Sequence, residues 1–285
     1  MIYLKQFELL SAEHEDSIIG MERRTCFNNY YPFGVFTNKK IPVINFGNIT
    51  IIYGGNGSGK STLLNLIADK LDADRKQKFS KGEFFTQYEQ ACTCEISLET
   101  PDEIKIVTSD DVFDYLFDIR TINSHMDKNR NQLFEEYRSH KYGNKQYTLS
   151  DYEELKKTVD SRKKTMSSYV RDRLVNNNII EQSNGESALM YFEKEIRENA
   201  IYILDEPENS LSAASQIKLT KFIEDSARFF NCQFIISTHS PFLLSLAGAV
   251  IYNLDEGSKI NAKWTELENV KMYYDFFNRH RDEFE

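Results

Sequence analysis

At 285 residues, 40% hydrophobic and 28% charged, the chain can bury a substantial core, as one large α/β domain or a domain carrying an insertion. A formal net charge of −9 excludes a protein that coats nucleic acid with its whole surface, while leaving room for a local basic patch. No apolar run reaches the roughly 18 residues of a membrane span, and the N-terminus (MIYLKQFELLSAEHED) lacks a signal-peptide pattern.

Met1–Leu10 alternates in strand fashion, and Gly34–Phe36 and Ile41–Phe46 read as further short strands punctuated by Pro32, Gly34 and Pro42. Ile49–Tyr53 is a β-branched apolar run suited to a buried strand. Gly54, Gly55, Gly57 and Gly59 follow at once, and Lys60, Ser61 and Thr62 open a helix expected over Thr62–Leu71. Gly54–Ser61 matches G-x-x-x-x-G-K-[ST], a phosphate-binding loop. Such a loop must aim successive backbone N–H groups inward, which glycine does without steric cost. The helix start adds its positive dipole end, Lys60 a mobile charge and Ser61 a hydroxyl for magnesium. Gly54, Asn56, Gly57, Ser58, Gly59, Lys60, Ser61 and Thr62 are therefore the candidate residues for ATP, with Mg2+ at Ser61.

Asp72–Gly82 is charged and reads as a loop; Cys92–Leu98 and Glu103–Val107 read as strands joined at Thr100-Pro101-Asp102. Four cysteines (Cys26, Cys92, Cys94, Cys232) without C-x-x-C spacing suggest reduced thiols in a cytoplasm. From about Asp111 helical spacing takes over, and residues 126–175 hold twelve lysines and arginines against eight aspartates and glutamates. This segment reads as an inserted arm of two helices broken near Tyr142-Gly143-Asn144. Its charge fits a solvated helix pair first and a DNA-binding face second.

Ala200–Leu204, Gln233–Ser237 and Ala249–Leu254 are apolar runs separated by helices expected over Ser187–Asn199, Ala213–Phe230 and Pro241–Ala247. That alternation implies a parallel sheet with right-handed crossovers, whose ligands sit at the carboxyl ends of the strands. Gly54, Asp205 and His239 each lie at or just past such an end and should converge. Asp205 suits the outer partner of a magnesium ion held by Ser61, and Glu206 can poise a water for attack on a γ-phosphate. Ser183 and Glu186 frame a helix start as a capping box, itself compatible with an anion site.

The order GGNGSGKST from Gly54, SNGES from Ser183, YILDEPENSLS from Tyr202 and STHSPFLL from Ser237 resembles the ABC-type ATPases, AAA-family proteins of the soluble branch. That branch includes RecF, the structural-maintenance-of-chromosomes proteins and the ATPase halves of OLD-family nucleases, and bacterial anti-phage systems use many of its members. The resemblance implies a P-loop α/β fold, a mixed sheet with flanking helices and an inserted helical arm, in one domain over residues 1–285. Residues 1–110 would form the N-terminal ATP-binding lobe, 111–178 the arm and 179–285 the second lobe. It makes Ser183, Gly185 and Glu186 the signature that meets the γ-phosphate bound to the opposite subunit. Lys60, Glu206 and His239 become the catalytic set, Glu206 as base and His239 as switch histidine, with Asn209–Ser212 in the D-loop position.

One copy of each motif implies a homodimer sandwiching two ATP molecules. The sequence departs from the transporter pattern at Gln182, Glu186 and Ser212, and no glutamine is a sure Q-loop. Gln87 and Gln90 precede the Cys92 strand, whereas Ser109–Asp111 is the better place by chain order. Tyr30, Tyr31 and Phe33 could stack on adenine or belong to the core. The expected output is an ATP-driven dimerisation cycle acting on a separate effector protein, DNA-linked or defence-linked. A transporter's nucleotide-binding subunit is the alternative, and an ATP-binding scaffold a third reading. After Leu254 there is no room for an OLD-type nuclease domain, so any cleavage is expected from another polypeptide.

Overall fold

Apolar runs of three to six residues sort into two sheets in a computed structural model that describes residues 1–285 except 24, 25, 28, 40, 42, 78, 80, 144–150, 175–183, 256–262 and 285. The chain divides into two compact units, Met1–Phe113 with Asn184–Glu285, and Asp114–Ser183.

In the first unit, β1 (Leu4–Glu8), β2 (Val43–Asn45), β3 (Ile49–Tyr53), β4 (Thr93–Ile96), β5 (Glu103–Thr108), β6 (Ala200–Asp205), β7 (Gln233–Ser237) and β8 (Val250–Asn253) are the strands. Five form a wholly parallel sheet in the order β5-β6-β7-β3-β8. The other three form an antiparallel sheet, β2-β1-β4. The mixed character is thus shared between two sheets. Every residue of β3 and β7 is buried, as a parallel sheet covered on both faces requires. Helix α2 (Lys60–Lys70, after α1 at Ala12–Met21) contributes Leu63, Leu64, Leu66 and Ile67 to a core shared with Ile52, Ile203 and Ile235.

Helix α3 (Glu83–Ala91) adds Phe84, Phe85 and Tyr88 to the same core. Both α3 and α1 are helices additional to those the sequence predicts. The expected strand at Gly34–Phe36 is instead a turn: Phe33 N–H donates to the Tyr30 carbonyl at 2.9 Å and Val35 N–H to the Pro32 carbonyl at 3.2 Å, with Gly34 at φ +83°. Its organiser is Glu15 of α1, a carboxylate only 1% exposed that accepts the Gly34 N–H at 2.8 Å and the Thr37 hydroxyl at 2.6 Å. The two strands flanking Pro101 do not pair with each other; β4 joins β1, and β5 joins β6.

Most of α4 (Ser109–Tyr142) lies in the second unit, with α5 (Tyr152–Lys163) and α6 (Met166–Arg171). There Tyr137, Tyr169 and Val170 form a small core, and α6 is a helix beyond the two expected. The break follows Tyr142, and Asn144 lies outside the described residues. Arg130, Arg138, Lys157, Lys164 and Arg173 each pair with a carboxylate of this unit at 2.7–3.0 Å.

Candidate functional site

The carboxyl edge of the parallel sheet is where the predicted residues gather. The loop after β3 holds Gly57 at φ +77° and Gly59 at φ +95°, the left-handed region that favours glycine. A Cβ on Gly59 would stand 2.8 Å from Val35 Cγ1 and 3.1 Å from the Phe36 ring, so the loop is packed tightly from outside. Lys60, at the first position of α2, is 5% exposed. Its ammonium donates to the Gly54 carbonyl at 3.0 Å, the Gly55 carbonyl at 3.3 Å and Nε2 of His239 at 2.8 Å, and lies 3.5 Å from Glu206 Oε1. Asn56 and Ser61 are exposed, whereas Ser58 is buried with its hydroxyl unpartnered. The Thr62 hydroxyl meets that of Tyr31 at 2.8 Å.

Asp205 ends β6 in register with Ser237 of β7. The Ser237 hydroxyl donates to its Oδ1. Burial pushes the carboxyl pKa up, hydrogen bonds from Ser237 and Ser61 oppose this, Glu206 adds to the rise and Lys60 counters it. A hydroxyl beside a buried carboxylate, at the start of a phosphate loop, is a donor set that fits a hard divalent cation with a nucleotide. Glu206 follows at φ +48°, a left-handed backbone that costs a non-glycine residue about 1 kcal/mol or more. Its N–H donates to the Ser237 carbonyl and hydroxyl, both at 3.1 Å, and Asn209 Nδ2 donates to its Oε2 at 3.1 Å. The strained turn thereby aims Oε1 at Lys60 and at His239 Nε2, 3.6 Å away.

His239 follows β7, its ring edge-on to Tyr53 with centroids 6.1 Å apart. Burial depresses the imidazole pKa and the Lys60 charge depresses it further, against Glu206 and Asp255. An ammonium can only donate, so Nε2 accepts and the neutral ring carries its proton on Nδ1. Lys60, Asp205, Glu206 and His239 are therefore one cluster, with Ser61 joined to it through Asp205.

Gly185 and Glu186 open α7 (Asn184–Glu195), with Glu186 exposed, while Ser183 lies outside the described residues. Asn209 and Ser210 fall in a short 3-10 turn, and Ser212 caps α8 (Ala213–Phe229) by accepting the Ser215 N–H at 3.2 Å. Gln87 and Gln90 are exposed on α3. At the start of α4, Asp111 Oδ2 accepts both the N–H and the hydroxyl of Thr108 at 2.8 Å, and Thr108 stands in register with Asp205. Tyr30, Tyr31 and Phe33 all pack against aromatic rings of α3.

Sequence reasoning missed several supports. Lys39 donates to the Ser58 carbonyl at 2.6 Å and the Leu254 carbonyl at 3.2 Å, and Asp255 accepts the Gly55 N–H at 2.6 Å. Their partners are remote in sequence, so spacing carries no signal for them. Glu208, in the same D-E-P-E run as the expected base, anchors the segment around His239.

A family model described as ABC transporter matches residues 43–209, more than half of the chain, and one described as AAA ATPase domain matches residues 186–244. The chain belongs to the ABC family and is an ABC-type nucleotide-binding domain. No curated protein matches it. Among solved structures, it is similar to the Smc head domain of Pyrococcus furiosus, bound to the C-terminal domain of ScpA, at 14% identity over 99% of this chain and 100% of that one, with a TM-score of 0.44. The SMC head domain of Thermotoga maritima matches at 15% identity, 88% and 94% coverage and a TM-score of 0.37. A bacterial ABC transporter cassette, solved as a dimer, matches at 14% identity, 79% and 90% coverage and a TM-score of 0.36. Among the described residues no helix is long and apolar enough to cross a membrane.

Proposed function

We propose that the chain binds and hydrolyses ATP with Mg2+ as a cytoplasmic two-state switch. The observation that carries this reading is the meeting of Lys60, Glu206 and His239 within 3.6 Å of one another, beside Asp205, at the mouth of the glycine loop. Lys60 and the loop residues Gly54, Asn56, Gly57, Ser58, Gly59 and Thr62 would bind the phosphates. Ser61 and Asp205 would hold magnesium, which supplies neutralising charge at the phosphate oxygens. Glu206 Oε1 would accept a proton from the attacking water as its oxygen bonds to the γ-phosphorus and the bond to the β-phosphate oxygen breaks, giving ADP and phosphate. His239 would hold the γ-phosphate in line.

The sequence carries one glycine loop and one SNGES segment, so two chains arranged head to tail complete two sites, Ser183, Gly185 and Glu186 of each facing the other's nucleotide. In this reading residues 1–285 form one ATPase domain, and its cycle of dimerisation acts on a separate effector protein in a DNA-linked or anti-phage process. DNA contact falls to the 126–175 arm. The Glu206→Gln variant tests the core of the proposal. It should sediment as a dimer with ATP and Mg2+ and as a monomer without nucleotide; a monomer in both conditions overturns the sandwich.

A further inference from the structure

The backbone of His239 is held by two side chains outside the reacting set. Glu208 Oε1 accepts the Thr238 hydroxyl at 2.7 Å, the His239 N–H at 2.6 Å and the Ser240 N–H at 3.2 Å. From α10 (Glu268–Arg279, after α9 at Pro241–Leu244), Asn269 Nδ2 donates to the His239 carbonyl at 2.8 Å. The Asn269 N–H donates in turn to the hydroxyl of Tyr53, whose ring meets the imidazole edge-on. Both backbone polar groups of His239 thus end on side chains. A mainly apolar cavity of about 800 Å³ opens on one side of this segment, bounded by Glu208, His239, Phe242, Trp264, Tyr273 and Phe277.

We propose that Glu208 and Asn269 are positioning residues, which together set the backbone from which His239 reaches Lys60 and Glu206. The role assigned to His239 rests on the ATPase reading above; the tethering does not. Glu208 stands two residues beyond Glu206, so its Oε1 links the strained Glu206 turn to the backbone of His239. The other oxygen, Oε2, is buried without a hydrogen-bond partner. An amide in place of the carboxylate keeps one accepting oxygen, though it gives up the charge and puts an NH2 at the unpartnered position, whereas alanine removes the anchor.

The test compares wild type, Glu208→Gln, Glu208→Ala and Asn269→Ala as full chains, reading kcat and KM for ATP. Spectra of ¹⁵N-histidine protein, recorded without nucleotide, add a readout of the ring itself; His239→Ala assigns its resonance among the five histidines. Loss of a positioning contact should lower kcat about tenfold or more in Glu208→Ala and Asn269→Ala while KM stays within about threefold. Both variants should also shift the His239 resonance. Glu208→Gln should stay within about twofold of wild type in kcat, with its resonance in place. The proposal is overturned if the two alanine variants leave both readouts unchanged, or if Glu208→Gln falls as far as Glu208→Ala. Should Glu208→Ala not fold, Asn269→Ala decides by the same criteria. A wild type that releases no phosphate would sink the ATPase reading, and the resonance would still decide the positioning.

Discussion

The Lys60 ammonium donates to His239 Nε2 at 2.8 Å, so the lysine charge bears directly on the imidazole's protonation. Burial is the larger cause of its depressed pKa, Lys60 the next, and Glu206 acts in the opposite direction. Lys60→Ala should therefore raise the His239 pKa toward its ordinary 6.5, and Glu206→Gln should lower it further. An NMR titration of the His239 ring in the two variants checks both signs; shifts in the same direction would refute the arrangement. Lys60→Ala should also cost nucleotide binding about 2–5 kcal/mol, the usual loss for one partner of a buried charge contact.

Asp205 carries a stability penalty at neutral pH. Its pKa is raised in the fold, so the native state holds the proton more tightly than the unfolded chain. The sign follows: stability is fully present below the ordinary value of 3.8 and is lost as pH rises through the raised folded value. Asp205→Asn mimics the protonated group. It should raise the neutral-pH Tm, with 1 kcal/mol corresponding to roughly 2–4 °C at this chain size, and the gain should vanish in acid. Magnesium-dependent nucleotide binding should be lost in the same variant, as measured by calorimetry with and without the metal.

Much of the site was legible because strand ends are legible. Ile49–Tyr53, Ala200–Asp205 and Gln233–Ser237 are apolar runs closed by glycine, carboxylate or hydroxyl residues, and parallel pairing brings their carboxyl ends together. Helices α1 and α3 were harder. The only buried residue of α1 is Glu15, so it shows no apolar stripe, whereas α3 sets Phe84, Phe85 and Tyr88 on one face of a nine-residue run too short for periodicity to declare a helix. Glu208, Lys39 and Asn269 act on partners between 19 and 215 positions away, which only the folded topology brings near.

The glycine loop offers an internal control. Gly59→Ala must place a Cβ 2.8 Å from Val35 Cγ1 at a φ of +95°, so the loop has to shift or the backbone has to change. Left-handed strain alone costs about 1–3 kcal/mol, and nucleotide affinity should fall at least about fivefold. Gly55→Ala meets only the Asp255 carboxylate, at 3.5 and 3.8 Å, ordinary contacts, and should bind as wild type does. Equal losses in the two variants, read by fluorescent-nucleotide titration, would show that loop shape is not what binding depends on.

Gln233 joins the two sheets with one side chain and should be the most costly neutral polar group to replace. It is 0% exposed; its Oε1 accepts the N–H groups of Tyr3 at 2.9 Å and Leu4 at 2.8 Å, and its Nε2 donates to the carbonyls of Leu4 at 2.8 Å and Gly47 at 3.1 Å. Gln233→Leu keeps the volume and strands four backbone groups, each costing about 1–3 kcal/mol if it stays buried and unpaired. A loss of about 3 kcal/mol or more is expected in denaturant melts, a large share of a typical total of about 5–15 kcal/mol. Gln233→Glu separates packing from hydrogen bonding. An ionised carboxylate can accept from Tyr3 and Leu4 but faces two carbonyls it cannot donate to, so its pKa should be raised in the fold. That variant should regain stability as pH falls and lose it as pH rises, whereas Gln233→Leu should be equally unstable throughout. A Gln233→Leu melt within 1 kcal/mol of wild type would mean that the sheets are held together by their shared core alone.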